Sequence, residues 1–110
     1  MNVGHINISN DFSRFPSGRY KTDGKFSGEH FREDYLLPYL KKHDRVVVDI
    51  NDVRGYGSSF LEEAFGGLIR NKYFSIKELM DRLEIVGDEK YSTYINEIWD
   101  YIKEAEDGLV

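Results

Sequence analysis

Cysteine is absent from the sequence, which excludes disulfides, thiol nucleophiles and thiolate metal sites. No apolar run approaches the roughly 20 residues that span a bilayer, so no membrane segment is expected. The opening Met1-Asn2-Val3-Gly4-His5-Ile6 has neither a basic n-region nor an apolar h-region, and a secretory leader is not expected either. Basic charge is scarce: 15 Lys and Arg stand against 20 Asp and Glu, a formal charge of −5. The deficit lies in the second half. Up to Arg45 there are eight basic and six acidic residues, and from Val46 onward seven against fourteen. Nucleic acid and anionic membranes both demand clustered Lys and Arg, so neither is an expected partner. What is present is material for a core. With 40% of residues hydrophobic and 15% aromatic, the chain is no disordered segment. A domain of this length buries roughly 65% of its unfolded surface, enough to fold without staples. The expectation is one cytoplasmic domain over residues 1–110.

Apolar and polar residues alternate from Val3 to Ile8, a short strand signal. Between Asn10 and Gly28, Pro16 and three glycines predict turns around an extended segment near Arg19 to Lys21, which would pair with the first strand as a hairpin. Ser27 caps a predicted helix to about His43, with Phe31, Tyr35, Leu36, Leu37 and Leu40 inward and a kink or restart at Pro38. Arg45 to Ile50 holds Val46-Val47-Val48 and Ile50, which reads as a central strand covered on both faces with Val47 in the core. Ser59 and Glu62 have the spacing of a capping box, in which each side chain satisfies the other's free backbone donor. Phe60, Leu61, Ala64, Phe65, Leu68 and Ile69 follow at helical period as a buried face. Ser75 to Glu78 repeats the box before a short helix, Leu83 to Val86 is a further strand, and Asp88 caps a last helix ending before Gly108. The predicted order is β-β-α-β-α-(short α)-β-α, an α/β fold with helices packed on a mixed sheet that is largely parallel in its second half.

Catalytic chemistry finds little support. His5, His30 and His43 lie in different elements without ligand spacing, and Glu29, Glu33 and Asp34 read as a solvated helix face. Asp49 and Asp52 stand at and beyond the end of the central strand, where open α/β sheets build their sites, yet Asp after a strand is also an ordinary turn former. No nucleophile, base and orienter form a set, so no enzyme activity, metal or cofactor is expected. The stretch Gly18 to Gly28 is not a Walker A loop, because Phe26 follows Gly24-Lys25. It does gather Arg19, Lys21 and Lys25 near a helix start, either as an anion cradle or as solvated charges on a glycine-rich turn. Ser58 and Ser59 open the helix after Gly55-Tyr56-Gly57. There a phosphate is favoured by the helix dipole, and plain capping by Ser59 is the other reading.

Val46-Val47-Val48-Asp49-Ile50 followed by Ser58-Ser59-Phe60-Leu61-Glu62-Glu63-Ala64-Phe65-Gly66-Gly67-Leu68 resembles the STAS-like domain family, a branch related to the sulfate transporter and anti-sigma-factor antagonist (STAS) domain. Gly18-Arg19-Tyr20, Asp23-Gly24, Ser27-Gly28-Glu29 and Phe31-Arg32 are similar as well. The resemblance implies a sheet with helices packed on it and a regulatory protein-interaction role. In bacterial antagonists, a partner kinase phosphorylates a Ser or Thr at the strand-to-helix turn, which implies Ser58 and Ser59 as acceptors here. The sequence departs from that block at Gly57, where an Asp is typical, and at Phe60, where a Gly is typical. The implied partner is a histidine-kinase-type ATPase acting as a serine kinase. It would contact Tyr56 and Phe60 as aromatic anchors, with Asp49, Asp52 and Arg54 as polar rim. The competing expectation is a small-anion or nucleotide-sensing domain built on Arg19, Lys21 and Lys25.

Overall fold

The computed structural model describes residues 2–108. Three strands form the sheet: β1 (Val3–Asn7), β2 (Arg45–Asp49) and β3 (Leu83–Val86), in the order β1-β2-β3 and parallel throughout. β2 is central, as its β-branched run predicts. In register, Ile6 stands beside Val48 and Val48 beside Ile85, so one face is a continuous apolar row. The second strand expected near Arg19 to Lys21 is not formed. Lys21–Asp23 is instead a turn of 3-10 helix, and Asp23 Oδ2 accepts from the backbone N–H of Tyr20 at 2.8 Å. An acceptor three residues ahead closes the chain on itself, which removes the partner the hairpin required. With that strand missing, the α/β architecture stands but the sheet has no antiparallel member among the described residues.

Burial follows the strand period of two. Gly4, Ile6, Val46, Val48, Leu83 and Ile85 are buried, whereas Val3, His5, Val47, Glu84 and Val86 are half-buried or exposed. Val47 is therefore not a core residue, and β2 is covered on one face only. An unbroken Val-Val-Val run carries no alternation, so the sequence could not show which face the helices take.

Helix α1 runs in three parts: Gly28–Phe31, a wide π-type turn over Arg32–Leu36, and Leu37–Lys42. Ser27 caps it as predicted, its hydroxyl accepting from His30 N–H at 3.1 Å. Proline has no N–H to give and its ring crowds the carbonyl four residues back. The wide turn just before Pro38 absorbs that misfit, and the backbone stays helical on both sides of it. Helix α2 has the same construction, Ser58–Leu61, Glu62–Gly66 and Gly67–Arg70. Helices α3 (Ile76–Arg82) and α4 (Ser92–Asp107) complete the layer. The Ser75–Glu78 box is formed, with Ser75 N–H donating to Glu78 at 2.9 Å and Glu78 N–H to Ser75 at 3.2 Å. Asp88 does not cap α4 with its side chain; a 3-10 turn, Glu89–Tyr91, intervenes.

Helices α1 and α2 cross closely at Gly28. A methyl group there would stand 2.5 Å from the Phe60 carbonyl oxygen and 3.0 Å from the Ala64 nitrogen, both of them backbone atoms that cannot swing away. Gly28→Ala is expected to lower stability by about 1–3 kcal/mol through overpacking. Chemical denaturation checks this, and an unchanged midpoint would mean that the crossing is looser than the structure has it.

Candidate functional site

The turn between β2 and α2 is built around Tyr56. Its hydroxyl donates to the Ile50 carbonyl at 2.9 Å, and its ring lies 5.2 Å from that of Tyr94 and 6.1 Å from that of Phe60. Burial raises the Tyr56 pKa far above the usual phenol value, and Tyr91, Asp49 and Tyr94 reinforce it, so the group stays a neutral donor. Phe60 is wholly buried and Tyr56 nearly so. They are core residues and not surface anchors, because the helical period that places Phe60 one turn before Ala64 also turns it inward.

Ser58 and Ser59 are exposed in the first turn of α2. The residue that precedes the helix is Gly57, and no side chain caps it. The predicted box fails because Glu62 has other partners. Its carboxylate ion-pairs with Arg19 and Arg70. Without a side-chain cap, the first backbone donors of α2 lie beside two exposed hydroxyls, that of Ser58 within hydrogen-bond reach of the Tyr101 hydroxyl. That leaves the end where negative charge is favoured open to a ligand or a modification.

Glu62 belongs to a larger network that ties the wide turns of α1 and α2 together. Arg32 Nη1 donates to Glu63 Oε2 and to the Glu63 carbonyl, each at 2.6 Å, and Arg32 Nε donates to Glu33 at 2.8 Å. Glu63 Oε1 accepts from Arg19 and Arg70, each at 3.1 Å. Arg32 and Glu63 are both only 4% exposed, so this is a buried charge pair with its hydrogen bonds satisfied. Burial works against the charge on Arg32, but its hydrogen bonds to Glu33 and Glu63 raise its pKa further above the usual value. Gly67 makes room for the guanidinium, since a side chain there would collide with Arg32 Nη1. One signal of this network was in the sequence. Glu63 shares a helical stripe with Phe60, Ala64 and Gly67, a charge at a core position.

Burial by itself would lift the Glu62 carboxyl, but its hydrogen bonds to Arg70 and Arg19 outweigh it and hold the pKa below the ordinary 4.5. A depressed folded-state value means that this contribution is complete above the unfolded pKa and is lost as pH falls through the folded one. Acid unfolding is therefore expected to begin below about pH 4.5, and Glu62→Gln is expected to flatten the stability profile in that window. Denaturant midpoints against pH for both proteins provide the check.

The network also answers the anion-cradle expectation. Arg19 is committed to Glu62 and Glu63. Lys21 pairs with Asp34 at 3.6 Å, and Lys25 lies 5.4 Å from the Phe26 ring centre. Lys21 and Lys25 share a hollow of about 240 Å³ with His30 and Asp34, so a carboxylate already stands among its cations. The remaining expected residues separate. Asp49 is half-buried and accepts from Asn51 N–H at 2.9 Å, the turn-forming role. It lines one cavity with His5 and Asp11, while Asp52 and Arg54 line another.

A family described as a STAS-like domain of unknown function matches residues 27–93. The chain belongs to this STAS-like family. The match begins at the Ser27 cap of α1 and takes in β2, the Ser58-Ser59 turn, both wide turns and β3. No curated protein and no solved structure matches the chain. In this STAS-like chain β1 and Arg19 lie outside the matched residues, although β1 completes the sheet and Arg19 completes the ion network. Among the described residues, no helix is long and apolar enough to cross a membrane.

Proposed function

We propose that this STAS-like domain is a regulatory module that binds a protein partner through the exposed first turn of α2 and is switched by phosphorylation of Ser58 or Ser59. The observation that carries the reading is the uncapped helix start. Two exposed hydroxyls sit beside unspent backbone donors on a helix whose next turn is held by three arginines. A phosphate there meets a favourable dipole and changes the surface charge by about −2 without disturbing the core. The partner is an ATPase of the histidine-kinase type acting on serine, and the module itself turns over no substrate. The partner's footprint is taken as the Gly57 to Ser59 surface, since Tyr56 and Phe60 are occupied inside.

The experiment is a pull-down with the purified domain, with and without ATP, followed by intact mass and by titration of the recovered ATPase. Ser58→Asp is expected to leave folding within about 0.5–1 kcal/mol and to weaken partner binding strongly, because an unpaired charge buried in an interface costs several kcal/mol. Ser59→Ala, which removes no cap, is expected to shift stability by less than about 0.5 kcal/mol and to leave binding unchanged. Equal affinity of wild type and Ser58→Asp would reduce the turn to an ordinary helix start.

A further inference from the structure

The loops that follow β1, β2 and β3 meet beyond the carboxyl ends of the strands, and they are fastened to one another. Arg54 N–H donates to the Arg14 carbonyl at 3.0 Å, the Tyr91 hydroxyl to the Val53 carbonyl at 3.0 Å, and Asp88 N–H to Asn51 Oδ1 at 2.8 Å. They enclose a cavity of about 330 Å³ lined by Arg14, Phe15, Asp52, Arg54 and Lys90 among others. That volume is at the lower end of small-ligand sites, and the carboxyl edge of a parallel sheet is where open α/β folds bind their ligands. Three cations from three loops converge there in a chain of net charge −5. Among the described residues none of the three is in an ion pair, and Asp52, the one carboxylate in the lining, is in none either. Lys21 and Arg19 are already engaged with carboxylates, whereas here three cations face the single carboxylate of Asp52, and the lining keeps an excess of positive charge. Phe15 is 63% exposed on its wall, with the Arg54 guanidinium 5.9 Å from the ring centre. An exposed aromatic ring beside arginine is a stacking platform as well as an anion clamp.

We infer that this cavity binds a small organic phosphate monoester that carries a flat ring, its phosphate held by Arg14, Arg54 and Lys90 and its ring laid on Phe15. This site is independent of the Ser58-Ser59 turn and of the partner proposed for it. Its volume favours a free small molecule over a peptide segment. The test uses the isolated chain, isotope-labelled, with AMP, inorganic phosphate, adenosine and a phosphotyrosine peptide as probes. AMP is expected to shift the amides of Arg14, Phe15, Val53, Arg54 and Lys90, with inorganic phosphate weaker and adenosine without effect. The Arg54→Gln/Lys90→Gln double variant is expected to weaken AMP by about tenfold or more. Phe15→Ala is expected to weaken AMP while leaving inorganic phosphate unchanged, which separates the ring from the charge. All three side chains are exposed, and an unshifted melting temperature shows that the variants remain folded. AMP that moves no amide, AMP that moves only the hollow of Lys21 and Lys25, AMP that binds the double variant as it binds wild type, or binding of the peptide without binding of AMP would each overturn the assignment.

Discussion

Glu63→Ala is expected to destabilise the domain by about 3–5 kcal/mol. Glu63 and Arg32 are each 4% exposed, and Arg32 Nη1 lies 2.6 Å from the Glu63 carboxylate. Removal of the carboxylate leaves a guanidinium buried between α1 and α2 with Glu33 as its remaining ion-pair partner. It also releases Arg19 and Arg70 from Glu63. The loss is therefore that of a buried charge deprived of one of its two carboxylate partners, and it exceeds the net value of the pair. The distinction is measurable. Arg32→Met combined with Glu63→Leu removes both charges and is expected to recover most of the stability, because apolar replacement of a whole buried pair is often close to neutral. Denaturant unfolding of the two single variants and the double variant closes the cycle. A loss below about 1 kcal/mol in Glu63→Ala would mean that water reaches Arg32.

Phe65→Ala is expected to cost a similar amount, about 3–5 kcal/mol, for a different reason. Phe65 is wholly buried on α2, its ring centre 6.1 Å from that of Phe31 on α1, and the two rings help join the helices above the sheet. Truncation leaves a cavity beside the Phe31 ring in a core whose other members, Phe60 and Leu68 among them, are themselves fully buried and have little room to collapse. Unlike the ion network, this contribution does not depend on salt or pH. An unfolding midpoint that falls by the same amount at low and high ionic strength separates the two effects. A loss below about 1 kcal/mol would place Phe65 at the surface.

Periodicity and capping chemistry act over a few residues, and there the sequence was legible. The inward face of α2, the Ser27 cap, the Ser75–Glu78 box and the positions of the three strands all follow from spacings of two to eight residues, whereas the expected hairpin did not form and β1 pairs parallel to β2. Misreadings arose where a distant partner competes for the same atoms. Glu62 has the spacing to reach back to Ser59, but two arginines hold it, one of them 43 positions away in the chain. Tyr56 has the composition of an interface anchor, but the Ile50 carbonyl takes its hydroxyl. Arg19 has the look of an anion ligand, but Glu62 and Glu63 occupy it.

The sequence by itself determined the α/β class, the central place of β2, the core stripe of α2 and the STAS-like block around Ser58-Ser59, because each depends on residues near one another along the chain. Tertiary structure alone decided which face of the sheet is covered, that Arg32 and Glu63 form a buried pair, and that Arg14, Arg54 and Lys90 share a cavity. These depend on how separate elements cross, and the free energy of a charge is set by the groups that surround it in space.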